Sequence, residues 1–293
     1  MALQVFAPAK INLFLHVGAP GADGYHPICS LMVFADVGDR VSAYAADAPE
    51  MRVSGPFARA LAEEGDNLVM RAARALMARA RGPRAPVGLL LEKALPVAAG
   101  LGGGSADAGA TLRLLREALE IPLEDAELEA VAAELGADGP ACLWGRPVVA
   151  EGRGERLSPA PLLPVMDAVL VNPRTPVATP QVFRALDALG GFSDVAPPVM
   201  PDALESVEEA AAWLARQRND LQAPAIGLAP QIADVLASLE DERETLLARM
   251  TGSGATCFAL CAGDYEAEGL AERLESLRPD WWVKRCRLGG PWD

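Results

Sequence analysis

Residues 95–107 read Leu95-Pro-Val-Ala-Ala-Gly-Leu-Gly-Gly-Gly-Ser-Ala-Asp107, and this stretch decides how the chain is organised. It follows an apolar run, Val87 to Leu91, that reads as a strand. It precedes Leu112, Leu115 and Leu119, whose spacing predicts a helix from about Ser105 to Leu119. Small residues let a backbone approach a ligand closely, and the free N–H groups of a first helical turn, with the helix dipole, attract anions. A strand, a glycine-rich loop and a helix in that order predict a phosphate site. It is not a Walker A loop, because Gly104 is followed by Ser105 and Ala106 rather than by Lys and Ser or Thr. Nor is it a dinucleotide fingerprint, which, counted from Gly100, needs Gly or Ala where Ser105 stands.

The rest of the chain suits such a site. Its 293 residues, 51% of them hydrophobic and 23% charged, can bury a core and match two medium domains or one large one. A net charge of −14 opposes a nucleic-acid or anionic-membrane surface, so any anionic substrate needs a local device. Five cysteines (Cys29, Cys142, Cys257, Cys261 and Cys286) form no CxxC pair, and two histidines are too few for a His/Cys zinc site. The first residues lack the basic stretch and small-residue cleavage site expected of a signal peptide, and no run approaches roughly 18 apolar residues. The expectation is a soluble, cytoplasmic protein with reduced thiols and no obligate protein partner. Three lysines stand against 23 arginines, which draws attention to Lys10 and Lys93, the two beside glycine-rich or apolar motifs.

Runs at Leu3–Ala7, Ile11–Val17, Ile28–Ala35 and Arg40–Ala45 read as strands, broken at Pro8, the Gly18–Gly21 turn and Gly38-Asp39. Asp66 is placed to N-cap a helix carrying Leu68, Ala72 and Leu76; a further helix spans Glu124–Leu135, and Pro147–Glu151 is a strand. The Pro-rich Ser158–Pro164 leads into a second half. There, strands near 168–171, 256–261 and 281–287 alternate irregularly with helices near 180–189, 205–216, 229–239 and 265–277, and Gly190–Asp202 is a loop. The mixture is α+β.

Two further stretches carry chemistry: Pro8-Ala-Lys-Ile-Asn-Leu-Phe-Leu15 and Met250-Thr-Gly-Ser-Gly-Ala-Thr-Cys-Phe258. Together with the loop at 96–106, they resemble the three ordered motifs of the GHMP kinases. Asp23-Gly-Tyr-His26, Asp66-Asn-Leu68 and Leu135-Gly-Ala-Asp138 make the chain similar, over its whole length, to the branch of that family acting on 4-diphosphocytidyl-2-C-methyl-D-erythritol. The resemblance implies a two-domain GHMP kinase fold. It has an N-terminal ATP-binding α/β domain (1–157), a C-terminal ferredoxin-like α/β domain (158–293), and a cleft between them.

It also implies roles. Asp138 would be the base that takes the proton of the substrate hydroxyl, and Lys10 would pair with it and keep it ionised. On residues alone, Gly136-Ala-Asp-Gly-Pro140 is also good turn chemistry. Pro96, Val97, Ala98, Ala99, Gly100, Leu101, Gly102, Gly103, Gly104, Ser105 and Ala106 would wrap the phosphates of ATP. Asn67 and Leu68 would line the adenine pocket, and Lys93 would lie beside the loop. Tyr25 and His26 would hold the cytosine, with Phe183 as a second aromatic and Asn12 and Thr179 as polar contacts. Mg²⁺ is expected with ATP, and the hydroxyl of Ser105 is its candidate ligand.

The sequence departs from the pattern at Ala106, where a second serine is usual, and at the small residues Gly139, Ala141 and Cys142. Two other functions stay open: a GHMP kinase for another small alcohol, and a nucleotide-binding regulator without turnover.

Overall fold

The computed structural model describes residues 3–61, 67–80, 86–190, 192 and 195–292. In chain order the first half comprises β1 (Leu3–Val17), β2 (Ile28–Ala45), β3 (Glu50–Ser54), α1 (Ala58–Leu61), α2 (Leu68–Met77), β4 (Val87–Glu92), α3 (Gly103–Ala118), α4 (Asp125–Leu135), α5 (Gly139–Trp144), β5 (Val148–Gly152) and β6 (Arg156–Pro159). The second comprises β7 (Met166–Asn172), α6 (Thr179–Leu189), α7 (Val207–Leu214), α8 (Gln222–Leu228), α9 (Gln231–Glu240), β8 (Thr245–Met250), β9 (Cys257–Cys261), α10 (Asp264–Leu277) and β10 (Trp282–Gly289).

The four strands expected before residue 46 are two long ones. β1 runs through Pro8 because its register with β2 slips between Pro8 and Lys10, and a missing N–H is tolerated at such an irregularity. β2 has three partners besides β1. Ile28–Met32 pairs with β5, Arg40–Ala45 pairs with β4, and between them Phe34 and Ala35 pair with Gly289 and Leu288 of β10. Those two residue pairs join the sheet of the first half to that of the second.

In the second half, β7, β8, β9 and β10 lie in the order β10-β7-β9-β8, all antiparallel. With helices after the first and third strands this is the βαββαβ ferredoxin-like arrangement. Both faces of that sheet are buried. Ala168, Leu170, Phe258 and Leu260 pack into one core, and Val169, Val171, Cys257 and Ala259 into another under α9 and α10. Such two-sided burial explains why these strands read as unbroken apolar runs rather than alternating ones.

Helix α3 forms the centre of the first half, with Ala106, Ala108, Ala110, Leu112, Leu114 and Leu115 all buried against β1, β2, α2 and α5. The small residues after Asp138 are accounted for by α5, which packs against α3 and α4. A Cβ on Gly139 would stand 2.0 Å from the carbonyl oxygen of Ala132, and Ala141 and Cys142 are buried. The cap of α2 also differs from expectation. Asn67 is the N-cap, its Oδ1 accepting from the N–H of Val69 at 2.8 Å, and Asp66 lies outside the described residues. All five cysteines are buried free thiols, and among the described residues no helix is long and apolar enough to cross a membrane.

Candidate active site

The phosphate loop leaves β4, and α3 begins at Gly103, two residues earlier than the leucine stripe indicates, with Gly102 in the left-handed region (φ 62°) as N-cap. The N–H groups of Gly103, Gly104 and Ser105 therefore form the open first turn of a 16-residue helix. Three segments distant in sequence are knitted around it. The N–H of Lys10 donates to Leu101 O (2.8 Å), that of Thr256 to Ala99 O (3.1 Å), and that of Asn12 to Thr251 Oγ1 (2.9 Å). Gly100, at φ 77°, lies so close to the turn at 251–254 that a Cβ would sit 2.5 Å from Thr251 O.

Beside this loop, Lys10 Nζ donates to Asp138 Oδ2 at 2.8 Å, the lysine side chain nearly buried and the carboxylate 32% exposed. Asp138 occupies the N-cap position of α5 but makes no side-chain cap bond, so its carboxylate is committed to Lys10 and to the cavity. Beneath the loop, Lys93 Nζ donates to Asp39 Oδ2 (2.6 Å) and to Asp107 Oδ2 (2.7 Å), all three side chains buried. Asp39 Oδ1 accepts from the N–H groups of Ala94 and Leu95, whereas Asp107 Oδ1 has no partner. Two carboxylates and one ammonium in a dry site leave one negative charge over. Burial pushes the Asp107 carboxyl up to about 8, against the pull of Lys93. For Lys93 burial acts downward, but Asp107 and Asp39 outweigh it and raise its pKa.

Lys10, Lys93 and Asp138 border a cavity of about 1270 Å³. It exceeds the roughly 300–1,000 Å³ of a single-ligand pocket, which leaves room for more than one small ligand. Pro96 to Ser105, Leu68 and Lys93 line one part of it. Asn67 does not reach it, its side chain being engaged in the helix cap, and Ala106 is fully buried in the core. Lys93 is tied to its two carboxylates rather than free to meet a phosphate. A Cβ on Gly103 would lie 3.1 Å from Lys93 Nζ, so a side chain there would press on the lysine.

Asn12, Tyr25, His26, Thr179 and Phe183 line the same cavity. Asn12 Nδ2 donates to Ser30 Oγ, while its buried Oδ1 has no partner, an acceptor available to a substrate hydroxyl. The Nδ1–H of His26 donates to Gly18 O (2.8 Å), its Nε2 faces Asp187 Oδ1 (3.2 Å), and its ring lies between Phe183 and Phe192. Tyr25 is 58% exposed, with the Arg153 guanidinium 4.1 Å from its ring centroid and Arg153 also paired to Asp23. Thr179 Oγ1 and Ser253 Oγ share a hydrogen bond of 2.7 Å. Asp39, Asp107, Arg153, Asp187 and Ser253 were not anticipated as parts of the site. Asp107 and Ser253 lie inside the glycine-rich motifs without a spacing that assigns them a role, and only the fold brings Asp39, Arg153 and Asp187 there.

The GHMP kinases N terminal domain matches residues 67–146, and the GHMP kinases C terminal domain matches residues 199–279. A 4-diphosphocytidyl-2-C-methyl-D-erythritol kinase of Caulobacter sp. (strain K31) is 68% identical over 99% of this chain and 100% of its own. The chain belongs to the 4-diphosphocytidyl-2-C-methyl-D-erythritol kinase branch of the GHMP kinases. A kinase of the same name from Cereibacter sphaeroides is 49% identical over 98% of this chain and 99% of its own. A crystal structure of 4-(cytidine 5'-diphospho)-2C-methyl-D-erythritol kinase superimposes with a TM-score of 0.78 at 34% identity, covering 99% of this chain and all of the other. Membership of these GHMP kinases makes the protein a phosphotransferase with ATP as donor.

Proposed function

We propose that the protein transfers the γ-phosphoryl group of ATP to the 2-hydroxyl of 4-diphosphocytidyl-2-C-methyl-D-erythritol, giving the 2-phosphate and ADP in non-mevalonate isoprenoid synthesis. The observation that carries the reading is the Lys10–Asp138 pair, 2.8 Å apart, on a cavity shared by the phosphate loop and the Tyr25, His26 and Phe183 rings. The 2-hydroxyl oxygen attacks the γ-phosphorus, its proton passes to the Asp138 carboxylate, and the bond to the bridging oxygen of ADP breaks with its electron pair. Lys10 holds the carboxylate in place and lies where negative charge grows. The N–H groups at the start of α3 hold the phosphates. Tyr25 stacks on the cytosine, while His26 and Phe183 shape its pocket. A regulator needs the loop but no base, so the Lys10–Asp138 pair favours turnover.

Mg²⁺ accompanies the ATP. Among the described residues no cluster of three His, Cys, Asp or Glu side chains could hold a metal ion, and Asp107 is turned towards Lys93. Mg²⁺ bound mainly by phosphate oxygens and water needs only one or two protein ligands, which the hydroxyl of Ser105 on the cavity wall can supply. When bound, the ion offsets charge on the β- and γ-phosphates. The reading also divides the chain into an ATP-binding domain (1–157) and a C-terminal domain (158–293) and assigns it to the cytoplasm. ATP consumption with 4-diphosphocytidyl-2-C-methyl-D-erythritol, the new phosphate located by NMR, tests the function; turnover of mevalonate instead would reassign the substrate.

A further inference from the structure

Helix α6 turns one face to the cavity. Thr179, Phe183 and Asp187 recur there at spacing four, as do Pro180 and Arg184 one step round. Besides His26, four cationic side chains among the described residues line the cavity. Lys10 is engaged with Asp138, Lys93 with Asp39 and Asp107, and Arg153 with Asp23 and the face of Tyr25. Arg184 is exposed and has no hydrogen bond or ion pair among the described residues.

A nucleoside-diphosphate substrate brings a second diphosphate into this cavity besides that of ATP, in a chain of net charge −14 and beside Asp138, Glu155 and Asp187. The first turn of α3 serves one of them. The other has to lie between the base cluster at Phe183 and His26 and the reacting hydroxyl near Asp138. Helical side chains lean towards the N-terminus, so Arg184 covers the turn around Pro180, between Phe183 and Thr179. A planar guanidinium there can meet two phosphate oxygens at once, which an ammonium cannot do. We propose that Arg184 binds the diphosphate of the nucleotide substrate and selects the cytidine-diphosphate alcohol over smaller alcohols. The proposal rests on the cytidine reading above.

The test compares cytidine with CDP as ligands of the full-length protein, its phosphate loop saturated with adenylyl imidodiphosphate, by calorimetry. The parent is expected to prefer CDP by about 10- to 100-fold, the range of a charge-assisted pair. Arg184→Gln is expected to bind cytidine as the parent does while losing most of that preference, and Arg184→Lys to recover part of it. Raising salt should weaken CDP binding more in the parent than in Arg184→Gln. Equal losses for cytidine and CDP, or an unchanged preference, overturn the role of Arg184 alone. Failure of the parent to bind cytidine at all, with the ATP analogue still bound, overturns the cytidine reading and this proposal with it.

Discussion

Lys93 donates to Asp107 across 2.7 Å directly beneath the phosphate loop, joining the end of β4 to the first turns of α3. With Asp39, which also accepts from Ala94 and Leu95, the pair fixes both ends of the loop from below. The loop is therefore held by a buried charge cluster as well as by its own glycines.

Removing the ammonium leaves the buried Asp39 carboxylate and the Asp107 carboxyl without the cation they share. Breaking a buried ion pair by deleting one partner typically costs about 3–5 kcal/mol. Lys93→Met is expected to lose that much stability in urea titration. A loss below about 1 kcal/mol, the value of a surface pair, would mean that the cluster is solvated.

Asp107 gives a pH signature. Its carboxyl is raised from an ordinary 3.8 to about 8 by burial, so between those values the folded state holds a proton that the unfolded state releases. Stability from this group is therefore full below about pH 4, declines as pH rises towards 8, and changes no further above it. One proton contributes a slope of at most about 1.4 kcal/mol per pH unit. Asp107→Asn should flatten the stability profile between pH 5 and 8 relative to the parent. Parallel profiles would show that Asp107 is ionised in the native protein.

The loop was legible because its chemistry is local: glycines at 100 and 102–104 between a strand and a helix allow few other readings. The helical leucine stripe at 112–119 and the unbroken apolar run at 257–261 also declared themselves. β3, α1, α5, β6, α8 and β8 did not. These elements are four to seven residues long, too short for a period to show, and β6 is a polar strand paired with β5. The partners of Lys93 were hidden for another reason. Asp39 stands 54 residues away and reaches it through the pairing of β2 with β4, which no spacing encodes. Lys10 and Asp138, 128 residues apart, could be paired in advance only through the family resemblance.

Gly100 is where two glycine-rich segments touch. At φ 77°, with a Cβ position 2.5 Å from Thr251 O, it has no room for a side chain. The left-handed conformation alone costs a non-glycine residue roughly 1–2 kcal/mol. Gly100→Ala should push the turn at 251–254 away from the loop and raise the KM for ATP severalfold. A KM equal to that of the parent would show that the contact does not shape the ATP site.

Tyr25 projects from the Gly18–Pro27 loop, anchored by Arg153 and by the Asp23 carboxylate, which accepts from its N–H at 3.0 Å. Stacking on a base is worth roughly 1–3 kcal/mol. Tyr25→Ala should lower kcat/KM for the cytidine substrate by about 5- to 150-fold while leaving ATP binding unchanged. A variant that uses this substrate as well as the parent removes Tyr25 from its recognition.

The sharpest test concerns Asp138 and Lys10. Asp138→Asn keeps the shape of the side chain and removes the proton acceptor, and loss of a general base typically costs roughly 10²–10⁴ in rate. Its kcat should fall by that factor with ATP still bound. Lys10→Ala should cost a comparable amount on the proposed mechanism, because Lys10 holds the Asp138 carboxylate at 2.8 Å. The double variant should be little worse than either single one, since groups acting as a unit are not additive. Lys10→Arg restores the charge. Its planar guanidinium, however, does not reproduce the compact ammonium that meets Asp138 Oδ2 at 2.8 Å, so activity should return only in part. Single-turnover phosphoryl transfer at saturating ATP reads all four variants, with circular dichroism checking that each is folded. Should folded Asp138→Asn keep more than about a tenth of the parental rate, against the 10²-fold loss expected of a missing base, the Lys10–Asp138 pair is structural and the proton goes elsewhere.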